Sequence, residues 1–442
     1  MVLLLQGGFA LMASGHCRAK NAAHAMLMSL GALCIAVLTF GACGYALSGG
    51  YGSPPASINL LGRPFGLIGT QGFWLRELPR HPEHAGTFLI LAAFAAVSAT
   101  IPTGALAERW RFGSLAAATI LASGLIFPVY VCWAWGGGWL ARVPRPDLGF
   151  RDFAGAGVVH LIGGLTALSG ALAIGPRIGK FSGEGRPRVI PGHDLTYVIA
   201  GTLLIAAGWC LLALTRASAI AGVSPPLTAI ALLLAGSAGC VSAAVASRIS
   251  YGKPDPTFAC NGLLGGLVAI SGLGGWAEPF AAVLVGASAG LLSFWSALFV
   301  ERVLRVDDPA NAIGVHGACG AFGCLCVGLF AGGGAPSAPL GLFSDGGVGQ
   351  LTAQVIGVAA AVLWAFPASW LAFRLLGWTF GNRATARAEV EGLDLFEVGA
   401  HAYMAEEPVA MQAAGLEYLR SQVPGATSPR APAAGKATPD RN

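Results

Sequence analysis

Long apolar runs, separated by loops that carry most of the polar residues, set the pattern of this chain. A helix needs about 20 apolar residues to cross the hydrocarbon core of a bilayer, and most of the runs reach that length. The pattern therefore predicts an all-α polytopic membrane protein with eleven transmembrane helices. Their predicted bounds are 1–15, 23–46, 85–106, 114–134, 153–174, 194–214, 222–246, 258–276, 279–300, 312–332 and 350–377.

The two ends of the chain depart from this pattern. Only fifteen residues precede the basic cluster at residues 16–20, which is short for a membrane span. Because no basic region precedes the apolar run, the sequence favours a truncated first helix or a start codon chosen too late over a cleaved signal peptide. Residues 405–442 are rich in Ala, Pro, Gly and charge and have no apolar period. Such a composition predicts a mostly disordered tail.

Composition agrees with the membrane class and disfavours other classes. Charged residues make up only 11% of the 442 positions, against about 25% in soluble proteins. The net charge of +5 is spread over loops and tail, so nucleic-acid binding is not expected. The ten cysteines have no metal-ligand spacing, and the chain has no nucleophile elbow, P-loop or HExxH pattern. We therefore expect neither an enzyme nor a metal or cofactor.

The charges of the loops predict an orientation. The loops after segments one, three, five, seven and nine hold twelve Lys and Arg residues, and the alternate loops hold seven. Because short loops with more positive charge stay on the cytoplasmic side, the N-terminus should lie outside and the C-terminus inside. The membrane is then expected to be the cytoplasmic (inner) membrane.

Two nonapeptides of the same pattern, Asp152–His160 and Asp308–His316, open the fifth and tenth segments. Each aspartate can cap the start of a helix, and each histidine follows roughly 12 Å further along it, at about 1.5 Å per residue. The predicted orientation puts Asp152 at the outer face and Asp308 at the inner face. The two imidazoles should therefore meet near the middle of a ~30 Å core. Two five-helix units in opposite orientation form an inverted repeat, a common transporter plan with its site between the repeats.

An ionisable side chain inside a span indicates function, because leaving it unpaired is costly there. His160 and His316 can share one proton, since neutral imidazole donates at one nitrogen and accepts at the other. The alternatives are two hydrogen-bonded core histidines, or metal ligands, although the pattern supplies no nearby Cys or carboxylate. Toward the outer face, Trp135 can hold a cation on its ring or anchor the chain at the membrane interface. Phe94 can close a narrow conduit or simply pack.

Several motifs together resemble the ammonium transporter/methylammonium permease/Rhesus family over nearly the whole chain. They are Gly8-Phe-Ala-Leu, Arg18-Ala-Lys-Asn21, Gly104-Ala-Leu-Ala-Glu-Arg109, Trp135-Gly-Gly-Gly-Trp139, Asp152-Phe-Ala-Gly155, Val159-His160, Gly208-Trp209, Asn261-Gly262, Asp307-Asp-Pro309, Val315-His-Gly317 and Gly392-Leu-Asp394. The resemblance implies a homotrimer with one pore through each subunit. It also implies that ammonium or methylammonium loses a proton at an outer vestibule and crosses the lipid bilayer as the neutral amine plus a proton.

The same resemblance implies a role for individual residues. His160 and His316 would line the substrate pore as a twin-histidine pair. Phe94 would form the outer gate, Trp135 the aromatic wall of the vestibule, and Asp152 the support of that vestibule.

The resemblance also divides the chain into parts. Residues 1–380 would form the transmembrane ammonium-transporter domain, and residues 381–404 a cytoplasmic regulatory segment. The motif Glu391-Gly-Leu-Asp394 resembles one associated with coupling between subunits and with docking of PII-type signal proteins at the cytoplasmic face.

Segment six departs from the family pattern at the predicted outer mouth. Leu212 stands where a second gate aromatic is usual, and the vestibule serine aligns with Arg216, or with Ser218 if two residues are inserted. A fixed cation at this mouth would repel a cationic substrate. The alternative to a transporter is therefore an ammonium sensor or regulatory membrane protein on the same scaffold, with little flux.

Overall fold

The computed structural model describes residues 1–60, 63–145, 148–332 and 338–403. Residues 1–402 form one unit, and residues 403–442 form a second unit of which only Tyr403 is described. The predicted disordered tail, residues 405–442, lies outside the described residues.

Within the described residues, nine helices are long and apolar enough to cross a membrane, and two shorter apolar helices bring the number to the eleven predicted. In chain order they are α1 Val2–His16, α2 Ala19–Leu47, α3 Pro82–Ala105, α4 Phe112–Arg142, α5 Ala156–Ile174, α6 Leu195–Ser218, α7 Pro225–Tyr251, α8 Pro256–Ile270, α9 Pro279–Arg302, α10 Ile313–Phe330 and α11 Gly349–Thr379. Each observed helix falls on one predicted apolar segment, so the prediction of an eleven-helix membrane fold is confirmed.

The first five helices and the next five pack as corresponding halves. Helix α1 packs against α6, and the first turns of α5 pack against α10, so the first helices of the two halves are neighbours, as are the fifth helices. Helix α11 packs on both α5 and α10. This is the arrangement expected of an inverted repeat plus one helix, and it places the two histidine-bearing helices in the interior.

The end of the bundle that we call the hairpin face carries two short strands in the loop between α2 and α3. Strand β1, Ala56–Leu60, pairs antiparallel with β2, Arg63–Ile68. Phe65 of β2 stacks on Trp139, with ring centres 5.8 Å apart. The hairpin is therefore fixed to the last turn of α4. The sequence pattern predicted only a long loop here.

The opposite end, the basic face, holds a buried network of ion pairs. Arg177 donates to the two carboxylate oxygens of Asp307 at 2.9 and 3.0 Å and to the Glu108 carboxylate at 2.9 Å. Arg18 also pairs with Glu108. Burial by itself raises the pKa of the Asp307 carboxyl, but the hydrogen bonds from Arg177 and the charge of Arg109 outweigh it and lower that pKa to about 2. The network joins the loops that follow α1, α3, α5 and α9.

The chain after α11 folds back onto the basic face. It forms a short helix, α12, Ala386–Glu391. Asp394 then accepts hydrogen bonds from the backbone N–H groups of Ala23 at 3.2 Å and His24 at 2.8 Å. A carboxylate at this position caps the free N–H groups at the start of α2 and suits the positive end of the helix dipole. Part of the predicted regulatory segment is thus bound directly to the helix bundle.

Candidate functional site

The two predicted pore histidines meet in the interior of the bundle. Nδ1 of His160 on α5 lies 3.0 Å from Nδ1 of His316 on α10. The rings are nearly parallel at 17°, with centres 5.0 Å apart, and the residues are only 3% and 6% exposed. In such a contact one nitrogen donates and the other accepts, so one proton lies between the two imidazoles.

A close crossing of α5 and α10 sets the distance between the histidines. A Cβ atom added to Gly164 would lie 2.3 Å from the backbone nitrogen of Gly317. Only glycine permits two backbones to approach so closely. His160 lies one turn before Gly164, and His316 directly precedes Gly317. The crossing therefore brings the two imidazoles within hydrogen-bonding distance.

Both histidines lie in widened first turns of their helices. Helix α5 begins with the π-helical residues Ala156–Leu161, and α10 begins with the π-helical residues Ile313–Ala318. Single π turns inside α-helices are frequent at functional sites. The same irregularity occurs at the corresponding place in both halves, although the sequence pattern predicted ordinary helix starts.

Two aspartates cap these widened turns from opposite faces. Asp152 accepts four backbone hydrogen bonds, from residues 155–158, at 2.8 to 3.0 Å. Asp308 accepts two, from the N–H groups of Ala312 at 2.9 Å and Ile313 at 2.7 Å. Hydrogen bonds to an ionised acceptor are the strong ones, so each carboxylate fixes the helix start that carries its histidine.

Aromatic rings line the path from the pair toward the hairpin face. The ring of Trp209 on α6 lies 4.4 Å from that of His160, centre to centre, and its indole N–H donates to the Ser271 hydroxyl at 2.7 Å. Phe94 on α3 is fully buried and lies between two tryptophans. Its ring centre is 5.8 Å from that of Trp209 and 5.6 Å from that of Trp135. The residue predicted as a gate therefore stands between the mouth and the pair.

Trp135 forms one wall of the mouth at the hairpin face. Its indole N–H donates to the backbone carbonyl of Asp152 at 2.9 Å. The guanidinium of Arg216 lies over the Trp135 ring, with Cζ 4.9 Å from the ring centre, and Arg216 Nε donates to the carbonyl of Phe153 at 3.2 Å. Leu212 lies one turn deeper on α6 and is fully buried. The structure thus brings together most of the residues predicted for the mouth.

Ser218 is not among them. It is exposed, and its hydroxyl donates to the carbonyl of Leu214 in its own helix at 3.0 Å. Two residues correspond to about 200° of rotation around a helix of 3.6 residues per turn. Ser218 and Arg216 therefore point to different sides of α6, and Arg216 holds the position at the mouth. This corrects the alternative alignment, which placed Ser218 in the vestibule.

Two small apolar cavities adjoin the histidine pair. The cavity toward the hairpin face is lined by both histidines, Trp209 and aliphatic side chains such as Leu5. The cavity toward the basic face is lined by His316 together with Met12, Thr103 and further apolar residues. An apolar lining penalises a bare ion far more than a small neutral molecule. The path on both sides of the pair therefore favours neutral species.

The histidine pair keeps hydrogen-bonding capacity for a passing molecule. Nε2 of His160 is buried and has no hydrogen-bond partner in the protein. Within the described ranges, no three His, Cys, Asp or Glu side chains gather in a way that could hold a metal ion. The chemistry that the arrangement supports is therefore proton sharing and hydrogen bonding.

Trp209 contributes to the site but was not among the predicted site residues. A sequence signal for it exists, because Trp209, Leu212 and Arg216 are spaced three and then four residues apart. This spacing puts all three on one face of α6. The ion network of Glu108, Arg177 and Asp307 was also missed. Its sequence signal is that Glu108 and Asp307 are acidic residues in loops whose other charges are mostly Lys and Arg.

Comparison with known proteins identifies the family. A model described as the Ammonium Transporter Family matches residues 1–403. The chain belongs to this family. Similar family members include ammonium transporter Amt2 of Archaeoglobus fulgidus, which is 34% identical over 94% of this chain and 90% of that protein. Ammonium transporter 1 member 3 of Solanum lycopersicum is 32% identical over 96% of this chain and 95% of that protein. The family consists of transporters, not enzymes.

Solved structures of the ammonium transporter family share the same fold. A structure named "Sensor Amt Protein" matches with a TM-score of 0.80 and 32% identity, over 90% of this chain and 95% of that chain. The structure of Candida albicans Mep2 matches with a TM-score of 0.75 and 24% identity, over 91% and 88%. The second likeness concerns the fold alone.

Proposed function

We propose that this chain transports ammonium across the cytoplasmic membrane, with the cargo passing the histidine pair as ammonia while its proton moves separately. The observation that carries the proposal is the 3.0 Å contact between Nδ1 of His160 and Nδ1 of His316, in apolar surroundings. A bare cation entering such a path faces a desolvation cost of order tens of kcal/mol, whereas neutral ammonia does not. Potassium cannot shed a proton, so the same path rejects it.

In this proposal the residues around the pair have distinct roles. Trp135 is the aromatic wall at which the cation is received, and Phe94 is the gate between that wall and the pair. Asp152 supports the mouth through the backbone that holds Trp135, and Asp308 caps the matching helix at the other face. The pore then joins two mouths through the apolar cavities described above.

The test is uptake of methylammonium, or the associated current, in a host that lacks its own carrier. His160→Ala and His316→Ala are each expected to abolish it, because either change removes one of the two groups that share the proton. His24→Ala is a matched control, since His24 is equally buried but lies in α2, away from the pair. Wild-type flux in both pore variants would overturn the proposal.

A second candidate function is an ammonium sensor or regulatory membrane protein with little flux. Two observations favour it, the 32% identity to the structure named "Sensor Amt Protein" and the guanidinium of Arg216 at the mouth. The two functions differ in whether the intact chain rescues growth on limiting ammonium. Absence of rescue, together with ammonium-dependent binding of a partner, supports the sensor, whereas rescue supports the transporter.

We further propose that the basic face is cytoplasmic and that the chain forms a homotrimer. Arg18, Arg109 and Arg177 all contribute to this one face, which fits the rule that positive loops stay inside. With eleven spans, the N-terminus then lies outside. We propose the bound segment around Asp394 as the docking site of a PII-type signal protein. Native mass spectrometry of the purified chain tests the homotrimer, and the mass of a single subunit would contradict it.

A further inference from the structure

Arg216 lies on the face of α6 that lines the path to the histidines. Trp209, on the same face, contacts His160 with ring centres 4.4 Å apart. Arg216 follows seven residues later, roughly 10 Å along the helix at about 1.5 Å per residue. Its side chain therefore starts two turns outward from the histidine pair and reaches the mouth at the hairpin face.

The guanidinium is held in place by two contacts. Its Cζ atom lies 4.9 Å from the centre of the Trp135 ring, within the roughly 6 Å at which a cation is attracted to an aromatic face. Its Nε donates to the backbone carbonyl of Phe153 at 3.2 Å. Asp152, whose carbonyl accepts the indole N–H of Trp135, is the neighbouring residue of Phe153. One short stretch of backbone therefore positions both the ring and the cation above it.

The Trp135 ring is the surface of this mouth best suited to receive a cation, and the Arg216 guanidinium already covers it. A second cation can reach the ring only by displacing the guanidinium or by sitting about 5 Å from it. Two like charges at that distance near a protein surface repel each other strongly enough to weaken binding about a hundredfold. Neutral molecules meet no such repulsion.

We propose that Arg216 is a built-in competitor for the cation position on Trp135, so that ammonium binds at this mouth only when it displaces the chain's own guanidinium. Arg216 thus determines the affinity of the mouth for cations. This inference rests on the proposed function only for its substrate, because ammonium binding is required of a transporter and of a sensor alike. The guanidinium stays charged at every physiological pH.

The test is isothermal titration of ammonium chloride and methylammonium chloride into the purified full chain at constant ionic strength. Arg216→Gln keeps a long side chain with an N–H donor for the Phe153 carbonyl but removes the charge, and it should lower the Kd by about ten- to a hundredfold. Arg216→Lys keeps the charge and should stay within about threefold of wild type. Arg374→Gln is a matched control, because Arg374 lies 5.6 Å over Trp370, elsewhere on α11, and should leave the Kd unchanged.

A double variant and an uptake measurement complete the test. In Arg216→Gln combined with Trp135→Leu the gain in affinity should disappear, since the cation position itself is removed. An unchanged Kd in Arg216→Gln, or a gain that persists without Trp135, would overturn the inference. If Arg216→Gln binds ammonium more tightly but neither wild type nor any variant takes up methylammonium, the inference stands and transport is contradicted. If the chain takes up methylammonium but Arg216→Gln has an unchanged Kd, only the inference is contradicted. A thermal unfolding midpoint close to that of wild type shows that each variant is folded.

Discussion

Substituting alanine at the crossing of the two histidine helices should break the histidine contact. The added Cβ of Gly164→Ala would lie 2.3 Å from the nitrogen and 2.4 Å from the Cα of Gly317, whereas ordinary contacts begin near 3.4 Å. The helices must therefore separate by about 1 Å. His160 is one turn away, so its 3.0 Å contact with His316 lengthens toward about 4 Å, beyond hydrogen-bonding distance.

The expected cost follows from the same contacts. Forcing an extra carbon into a packed interior costs about 1–3 kcal/mol, and losing the hydrogen bond costs roughly 0.5–1.5 kcal/mol more. Gly317→Ala is the matched control, because its Cβ would meet nothing closer than the carbonyl carbon of Gly164 at 3.7 Å. That variant should be tolerated, and the better helix propensity of alanine should offset part of any loss.

The assay combines thermal unfolding in detergent with the initial rate of methylammonium uptake. Gly164→Ala should lower the unfolding midpoint and reduce uptake at least tenfold, and Gly317→Ala should retain both near wild type. If the two variants behave alike, or if Gly164→Ala keeps full uptake, the reasoning that the crossing sets the histidine distance is refuted.

Two further predictions concern the buried aspartates. Asp152→Asn leaves two of the four backbone N–H groups that Asp152 binds without an acceptor, and it should lower the free energy of unfolding by about 2–6 kcal/mol. Asp308→Asn leaves one N–H group without an acceptor and should cost about half as much. Equal losses of unfolding free energy in denaturation experiments contradict this ranking. The pKa of Asp307 is about 2 in the folded chain, below the roughly 3.9 of an unfolded aspartate. Its stabilisation, about 2–3 kcal/mol, should therefore be complete above about pH 5 and be lost as the pH falls from about 4 to 2. Unfolding midpoints of wild type and Asp307→Asn from about pH 7 to 2 check this. A difference between the two that stays constant over that range contradicts it.

Much of the architecture is already determined by local properties of the chain. The length of each apolar run predicts a helix, and the rise of a helix carries each histidine a known distance from its aspartate cap. His160 and His316 could therefore be expected to meet before any contact was known. These inferences succeed because each depends on a few neighbouring residues and on rules that hold in every helix.

The contacts that set how the site works depend on how the helices are rotated and tilted against one another. The contact of the Arg216 guanidinium with the Trp135 ring depends on the rotation of α6. The approach of Gly164 to Gly317 depends on a crossing that is close to within an ångström. The rotation of α6 and the crossing of α5 with α10 both result from packing between side chains that are far apart in the sequence. The residue pattern of a single segment does not predict that packing. The chain alone thus predicts a histidine pair with a cation at its entrance, and only the tertiary structure places the Arg216 guanidinium on the ring of Trp135.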